Sequence, residues 1–142
     1  MTSPSSPAIS ASTAPYGAFV LRVTLGVTFL AHFALKLFVF TPAGTAAYFG
    51  SLGLPPALAY ASMAAEFLGG LALITGFKAR AVALALIPLL VGTIVTVHGA
   101  NGFFFNAPGG GWEYPAFWSI ALLVQALIGD GAFALSPTLR KA

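Results

Sequence analysis

The chain has 142 residues, of which 58% are hydrophobic and only 6% are charged, and its net charge is +3 at pH 7. A soluble domain carries about 25% charged residues, so this composition indicates an integral membrane protein, and the length suits one compact domain. The six Lys and Arg residues form no cluster, which excludes a nucleic-acid-binding face. The absence of cysteine excludes disulfides, thiolate metal sites and iron–sulfur clusters held by cysteine.

The first residues, 1–15, are rich in Ser, Pro, Ala and Thr and have no charged side chain, which predicts a disordered N-terminal tail. They lack the basic region with which a secretory signal begins, so the apolar run that follows is expected to be a retained transmembrane helix. We expect a single membrane domain over residues 16–137 and a basic C-terminal tail at 138–142.

Four apolar segments are long enough to cross a bilayer, which takes about 20 residues. Proline and glycine residues separate them. The predicted transmembrane helices cover residues 16–40, 56–77, 79–99 and 115–136. The expected fold is therefore all-α, a four-transmembrane-helix bundle in which the short turn between the second and third helices makes them an antiparallel pair.

The distribution of Lys and Arg predicts the orientation of the bundle. Lys78 and Arg80 occupy the turn between the second and third helices and the C-terminal tail is basic, whereas the loops 41–55 and 100–114 contain neither residue type. We expect a multi-pass protein of the cell (inner) membrane with both termini in the cytoplasm and these two loops outside, or in the periplasm. Aromatic residues near that outer boundary suit an interfacial belt: Tyr48, Tyr60, Trp112, Tyr114 and Trp118.

Four ionisable residues lie inside or at the end of these apolar segments. A charge at the bilayer centre costs about 2.5–3.5 kcal/mol on insertion scales, so such residues generally face a partner or a cavity. A helix rises about 1.5 Å per residue, so each position can be converted to a depth below the outer end of its helix. Lys36 lies about 6 Å below that end, His32 about 12 Å and Glu66 about 15 Å. His98 lies within about one turn of the outer end of the third helix. These depths predict a polar pocket in the outer half of the bundle, where a facing Lys36 or His32 would keep Glu66 ionised.

Other polar residues fall at the two ends of the bundle. Three residues of the loop 100–114 lie where they would close the pocket and contact a ligand: Asn101, Trp112 and Glu113. On the cytoplasmic side, Arg22 and Asp130 have depths that would let them pair, and we expect this pair to be structural.

Alternatives to a ligand pocket stay open at this point. Glu66 and its basic neighbours would also make a buried clamp that holds the helices in register, and His98 would also make an interfacial hydrogen bond. Haem ligation by His32 and His98 is disfavoured, because their depths differ by about 10 Å. The sequence suggests no metal site and no intrinsic cofactor.

Four sequence blocks occur in a characteristic order: LRVTLGVTFLAHFALKLF, EFLGGLALITGFKARAVAL, VHGANGFFFNAPGGGWEYP and GDGAFALSP. Together they resemble the DoxX family of small four-helix membrane proteins, over roughly residues 18–137. The resemblance implies an integral membrane protein associated with respiratory or oxidative-stress redox systems. Some members of this family are membrane subunits of thiosulfate:quinone oxidoreductases.

From this resemblance we expect a membrane subunit of a quinone-linked redox system that acts with a partner redox protein or as a homo-oligomer. A quinone headgroup would hydrogen-bond to His32, Lys36 or His98, and Glu66 and Lys36 would have the catalytic, proton-relaying role. The alternative is a non-enzymatic protein, either a scaffold or assembly partner or a carrier of small solutes or lipids.

Overall fold

A computed structural model describes residues 10–136. The described chain is all-helical, as predicted, and contains five α-helices: α1 (Ala14–Ala34), α2 (Pro42–Ser51), α3 (Ala57–Thr75), α4 (Ala79–Thr93) and α5 (Glu113–Ile128). Two of them continue into wider π-helical turns. The π-helical segment Leu35–Val39 extends α1, and the segment Ile94–His98 extends α4 before a 3-10 turn at Gly99–Asn101.

Three helices, with their extensions, are long and apolar enough to cross a membrane: Ala14–Val39, Ala57–Thr75 and Ala79–Asn101. The fourth apolar helix, α5, has only 16 residues and ends at Ile128 rather than at the predicted residue 136. It ends early because the backbone leaves the helical region at Gly129 (φ 99°) and again at Gly131 (φ 75°).

The loop predicted at 41–55 contains a helix of its own, α2. Thr41 begins this helix, since its side-chain oxygen accepts a hydrogen bond from the backbone N–H of Gly44 at 3.1 Å, and Pro42 occupies the first turn. Thr41 has a positive φ of 63°, a strained value for a β-branched residue. The helix packs against α3 and against the π-helical segment Leu35–Val39, so it covers one end of the α1–α3 pair.

The core of the bundle lies between two helix pairs, α1 with α3 and α4 with α5. Helices α1 and α3 approach each other closely at Gly26 and Gly70, because a Cβ atom on Gly26 would lie only 2.7 Å from the carbonyl oxygen of Gly70. Small residues allow such contact between helices in a membrane. Glu66 lies one turn from Gly70 on the same face of α3, so this contact presses Glu66 against α1.

The segment after α5 crosses the end of the bundle where α1 begins and α3 ends. Backbone N–H groups of this segment donate to Pro15 from Ala132 (2.9 Å) and to Thr75 from Leu135 (3.1 Å). Ala14 and Pro15, the last two residues of the segment 1–15 predicted as a tail, belong to α1. Residues 1–9 and the C-terminal tail at 138–142, including Arg140 and Lys141, lie outside the described residues.

Candidate functional site

The central feature of the candidate site is an ion pair between two membrane-crossing helices. The Nζ atom of Lys36, in the π-helical segment that extends α1, lies 2.5 Å from the Oε1 atom of Glu66 in the middle of α3. The side chain of Lys36 is 19% exposed, whereas Glu66 is buried. The structure thus joins the two residues that the sequence analysis assigned to proton transfer.

Two features of the fold bring these residues together although their predicted depths differ by about 9 Å. The side chain of Lys36 is long and flexible, so its ammonium can reach a carboxylate at a different depth on the neighbouring helix. In addition, Lys36 lies in a π-helical turn, which ends with the N–H of Phe40 donating to the carbonyl of Leu35 at 3.0 Å. Single π-helical turns are rare and occur frequently at functional sites.

Only one of the two carboxylate oxygens of Glu66 has a partner among the described residues. The Oε2 atom is buried and accepts no hydrogen bond from any residue in the described part of the chain. A buried polar atom without a partner costs about 1–3 kcal/mol, so Oε2 is a strong acceptor for any small molecule that can donate a hydrogen bond there.

His32 lies one helical turn before Lys36, and its ring packs against the indole of Trp118 from α5, with ring centroids 5.0 Å apart. Trp118 also contacts Phe29, at 4.5 Å between centroids. Within residues 10–136, the buried Nε1 of Trp118 has no hydrogen-bond partner. The position of Trp118 beside His32 was not predictable from the sequence, which indicated only a place in the interfacial belt, because the facing of α5 depends on tertiary packing.

The remaining predicted ligand-binding residues hold the loop 100–114 in place. The Nδ1 of His98 hydrogen-bonds the carbonyl of Gly110 at 2.8 Å, and the amide of Asn101 donates to the same carbonyl at 3.0 Å. Glu113 accepts a hydrogen bond from the backbone N–H of Phe105 at 2.8 Å. His98 thus makes a hydrogen bond to the loop, which its alternative role requires, and its place at the membrane interface stays a prediction.

Trp112 packs edge-on against Phe103 of the same loop, with centroids 4.8 Å apart. No hydrogen bond or ion pair within residues 10–136 joins these loop residues to Lys36 or Glu66. The structure thus brings Lys36 and Glu66 together, leaves His32 beside Trp118, and ties the loop residues to one another. Ligand binding by the loop residues stays a prediction.

Arg22 and Asp130, the predicted inner pair, are both buried. They lie where α3 ends and α4 begins. The guanidinium of Arg22 donates to the carbonyls of Leu73 (2.8 Å) and Ile74 (2.7 Å), which belong to the last turn of α3. The Oδ1 of Asp130 accepts from the first-turn N–H of Arg80 at 3.4 Å, and Asp130 is close enough to Arg22 for electrostatic attraction. Each side chain thus satisfies backbone groups that a helix end leaves without partners.

The described residues contain no group of three or more His, Asp or Glu side chains that could hold a metal ion. A shallow groove, lined mainly by aromatic side chains, lies between the loop and α5: Phe103, Phe105, Glu113, Tyr114 and Phe117.

The apolar helices and the ion pair buried between two of them define this protein as a multi-pass α-helical membrane protein. The chain belongs to the DoxX family, whose sequence profile matches residues 17–99. The matched region covers the second of the three helices that are long enough to cross a membrane, and it covers the other two except for residues 14–16 and 100–101. It contains both Lys36 and Glu66.

A curated relative covers more of the chain than the family profile does. The chain is 33% identical over 121 residues, which is 85% of each chain, to the protein named "Putative oxidoreductase CatD" of Bacillus subtilis (strain 168). No solved structure matches the chain.

Proposed function

We propose that this protein is a membrane redox protein that binds a quinone as its substrate at the Lys36–Glu66 pair. The observation that carries the proposal is the buried ion pair with one carboxylate oxygen, Oε2 of Glu66, lacking a partner among the described residues. Ionisable residues within membrane helices are costly and generally functional. The family relationship and the name of the Bacillus subtilis relative support a redox role.

The residues of the pair fit a quinone headgroup in their hydrogen-bonding character. The ammonium of Lys36 can donate to a carbonyl oxygen, and the carboxylate of Glu66 can accept from a hydroxyl group. Because the side chain of Lys36 is partly exposed, a headgroup can approach it from the lipid and reach Glu66 behind it. Interconversion of quinol and quinone releases or takes up two protons and two electrons, and a carboxylate at this position can carry the protons.

The electrons require a second reactant, which we assign to a partner redox protein or a soluble reductant. In this proposal Glu66 takes a proton from the quinol hydroxyl or returns it to the quinone oxygen, and Lys36 holds the carboxylate in position and balances its charge. The protein thus supplies binding and proton transfer within the membrane, and the partner supplies or receives the electrons.

We further propose that α5 is a fourth crossing helix and that the protein lies in the cell (inner) membrane. The 16 residues of α5 rise about 24 Å, somewhat less than the roughly 30 Å of the hydrocarbon core. The non-helical residues 129–136 follow this helix at the end of the bundle where Lys78 and Arg80 lie. The positive-inside rule would place that end and both termini in the cytoplasm.

Binding measurements on two site variants test the proposal. We expect Lys36→Met and Glu66→Gln to weaken the binding of a short-chain benzoquinol, measured anaerobically by titration calorimetry on protein in lipid nanodiscs, by about tenfold or more, since each removes a charged hydrogen-bonding group. Lys78→Met is the matched control, because it makes the same change at an exposed residue outside the ion pair. Unchanged affinity in both site variants would refute the proposed function.

A scaffold or assembly role is a second candidate, and one observation favours it. Phe104 and Phe105 are 64% and 69% exposed on a loop that internal hydrogen bonds hold in place. Such a surface could contact a partner protein at the outer face of the cell membrane. If Phe104→Ser abolished assembly with a co-purified partner and left quinone affinity unchanged, the loop would be a docking surface.

A further inference from the structure

The indole of Trp118 is buried among aromatic rings but has an unused hydrogen-bond donor. Trp118 is 6% exposed. The centroid of its ring lies 4.5 Å from that of Phe29, 5.0 Å from that of His32 and 5.8 Å from that of Tyr114. The Nε1–H group has no acceptor among the described residues. A buried tryptophan N–H usually has a partner, so this donor indicates a group that binds there.

The Trp118 donor and the Glu66 acceptor that lack partners among the described residues belong to side chains that contact two successive polar residues of the first membrane helix. Trp118 contacts His32, and Glu66 is bonded to Lys36, which is the next residue on that face of the helix. One atom can only donate and the other, as the carboxylate partner of an ammonium, can only accept. The two are therefore complementary to a ligand that both accepts and donates hydrogen bonds.

We propose that Trp118 is a ligand-binding residue of this site and that the site prefers the reduced, diol form of a quinone to the dione. This inference rests on the proposed function. A phenolic hydroxyl can accept from the N–H of Trp118 and can donate to Oε2 of Glu66, whereas the oxygens of a dione only accept. A diol therefore satisfies both atoms, and a dione leaves Oε2 of Glu66 without a partner.

The proposed role of Trp118 in ligand binding depends on its N–H group and not only on the area of its ring. Trp118→Phe keeps an aromatic ring against Phe29 and His32 but removes the donor. Tyr114→Phe is the matched control, because it removes the polar group of an exposed ring that also contacts Trp118.

Anaerobic titration calorimetry in nanodiscs with tetramethyl-1,4-benzoquinone and its hydroquinone tests both parts. We expect the wild-type protein to bind the hydroquinone about tenfold more tightly, Trp118→Phe to lose about tenfold in affinity, and Tyr114→Phe to bind as the wild type. Glu66→Gln has an amide that can also donate, so we expect this variant to lose the preference for the hydroquinone. Equal affinity of the wild type for both forms would overturn the preference.

A second measurement does not depend on the folding of a Trp118 variant. The chain has two tryptophans, so protein labelled with 15N at the indole gives two resonances, which a Trp112→Phe sample assigns. We expect saturating hydroquinone to shift the Trp118 indole resonance downfield. Suppose that the Trp118 resonance does not shift but that Lys36→Met and Glu66→Gln still weaken hydroquinone binding. That result would overturn the role of Trp118 and leave the proposed function intact. Absence of binding by the wild type would instead refute the proposed function itself.

Discussion

The two residues of the buried ion pair should contribute unequally to stability, because their exposures differ. Lys36→Met leaves the buried Glu66 with no charged partner and with both oxygens unsatisfied. Removing one member of a buried pair costs about 3–5 kcal/mol, because the other charge is left uncompensated. Glu66→Gln leaves a partly exposed ammonium that can turn toward the membrane surface, and the new amide can still accept from it. We therefore expect this variant to lose only about 1 kcal/mol.

Unfolding by SDS in mixed micelles, followed by circular dichroism, measures these differences. The double variant Lys36→Met/Glu66→Gln should be about as stable as Glu66→Gln, because it leaves no buried charge without a partner. The coupling energy between the two residues should therefore exceed about 2 kcal/mol. Lys78→Met, at an exposed position, should change stability by less than about 0.5 kcal/mol. If Lys36→Met were no less stable than Glu66→Gln, Glu66 would not depend on Lys36 and the reasoning would fail.

Three further predictions concern other parts of the fold. Arg22→Met should lower the free energy of unfolding by about 3 kcal/mol, since it removes charged hydrogen bonds to buried carbonyls; a loss below about 1 kcal/mol in the same SDS assay would contradict this. Gly26→Ala should destabilise by about 1–3 kcal/mol because a Cβ atom overlaps the facing helix, whereas Gly17→Ala, with open space around it, should not; similar stabilities would exclude close helix contact. His98→Phe should raise deuterium exchange at Gly110 about tenfold, and unchanged exchange would show that this hydrogen bond does not hold the loop.

Some differences between prediction and structure have signals in the sequence. Thr41 followed by Pro42 is a typical start of a helix, and it precedes α2, which the sequence analysis treated as loop. Gly129 and Gly131 are typical of a helix end, and α5 ends immediately before them. The π-helical turn that carries Lys36 contains no Pro or Gly, and its geometry depends on packing. The turn that carries His98 is followed by Gly99, where a Cβ atom would lie 2.8 Å from the carbonyl oxygen of Ile94, but a single glycine does not by itself predict a π-helical turn.

The sequence by itself determined the helical class, the apolar segments and the small set of ionisable residues within them, because lipid excludes charge and requires internal backbone hydrogen bonds. The tertiary structure decided which of those residues meet. Contact between Gly26 and Gly70 brings α1 and α3 close enough for Lys36 to reach Glu66, and no local pattern encodes that approach. Packing of α5 likewise places Trp118 beside His32, because the facing of a helix that is apolar on every side is decided by its neighbours.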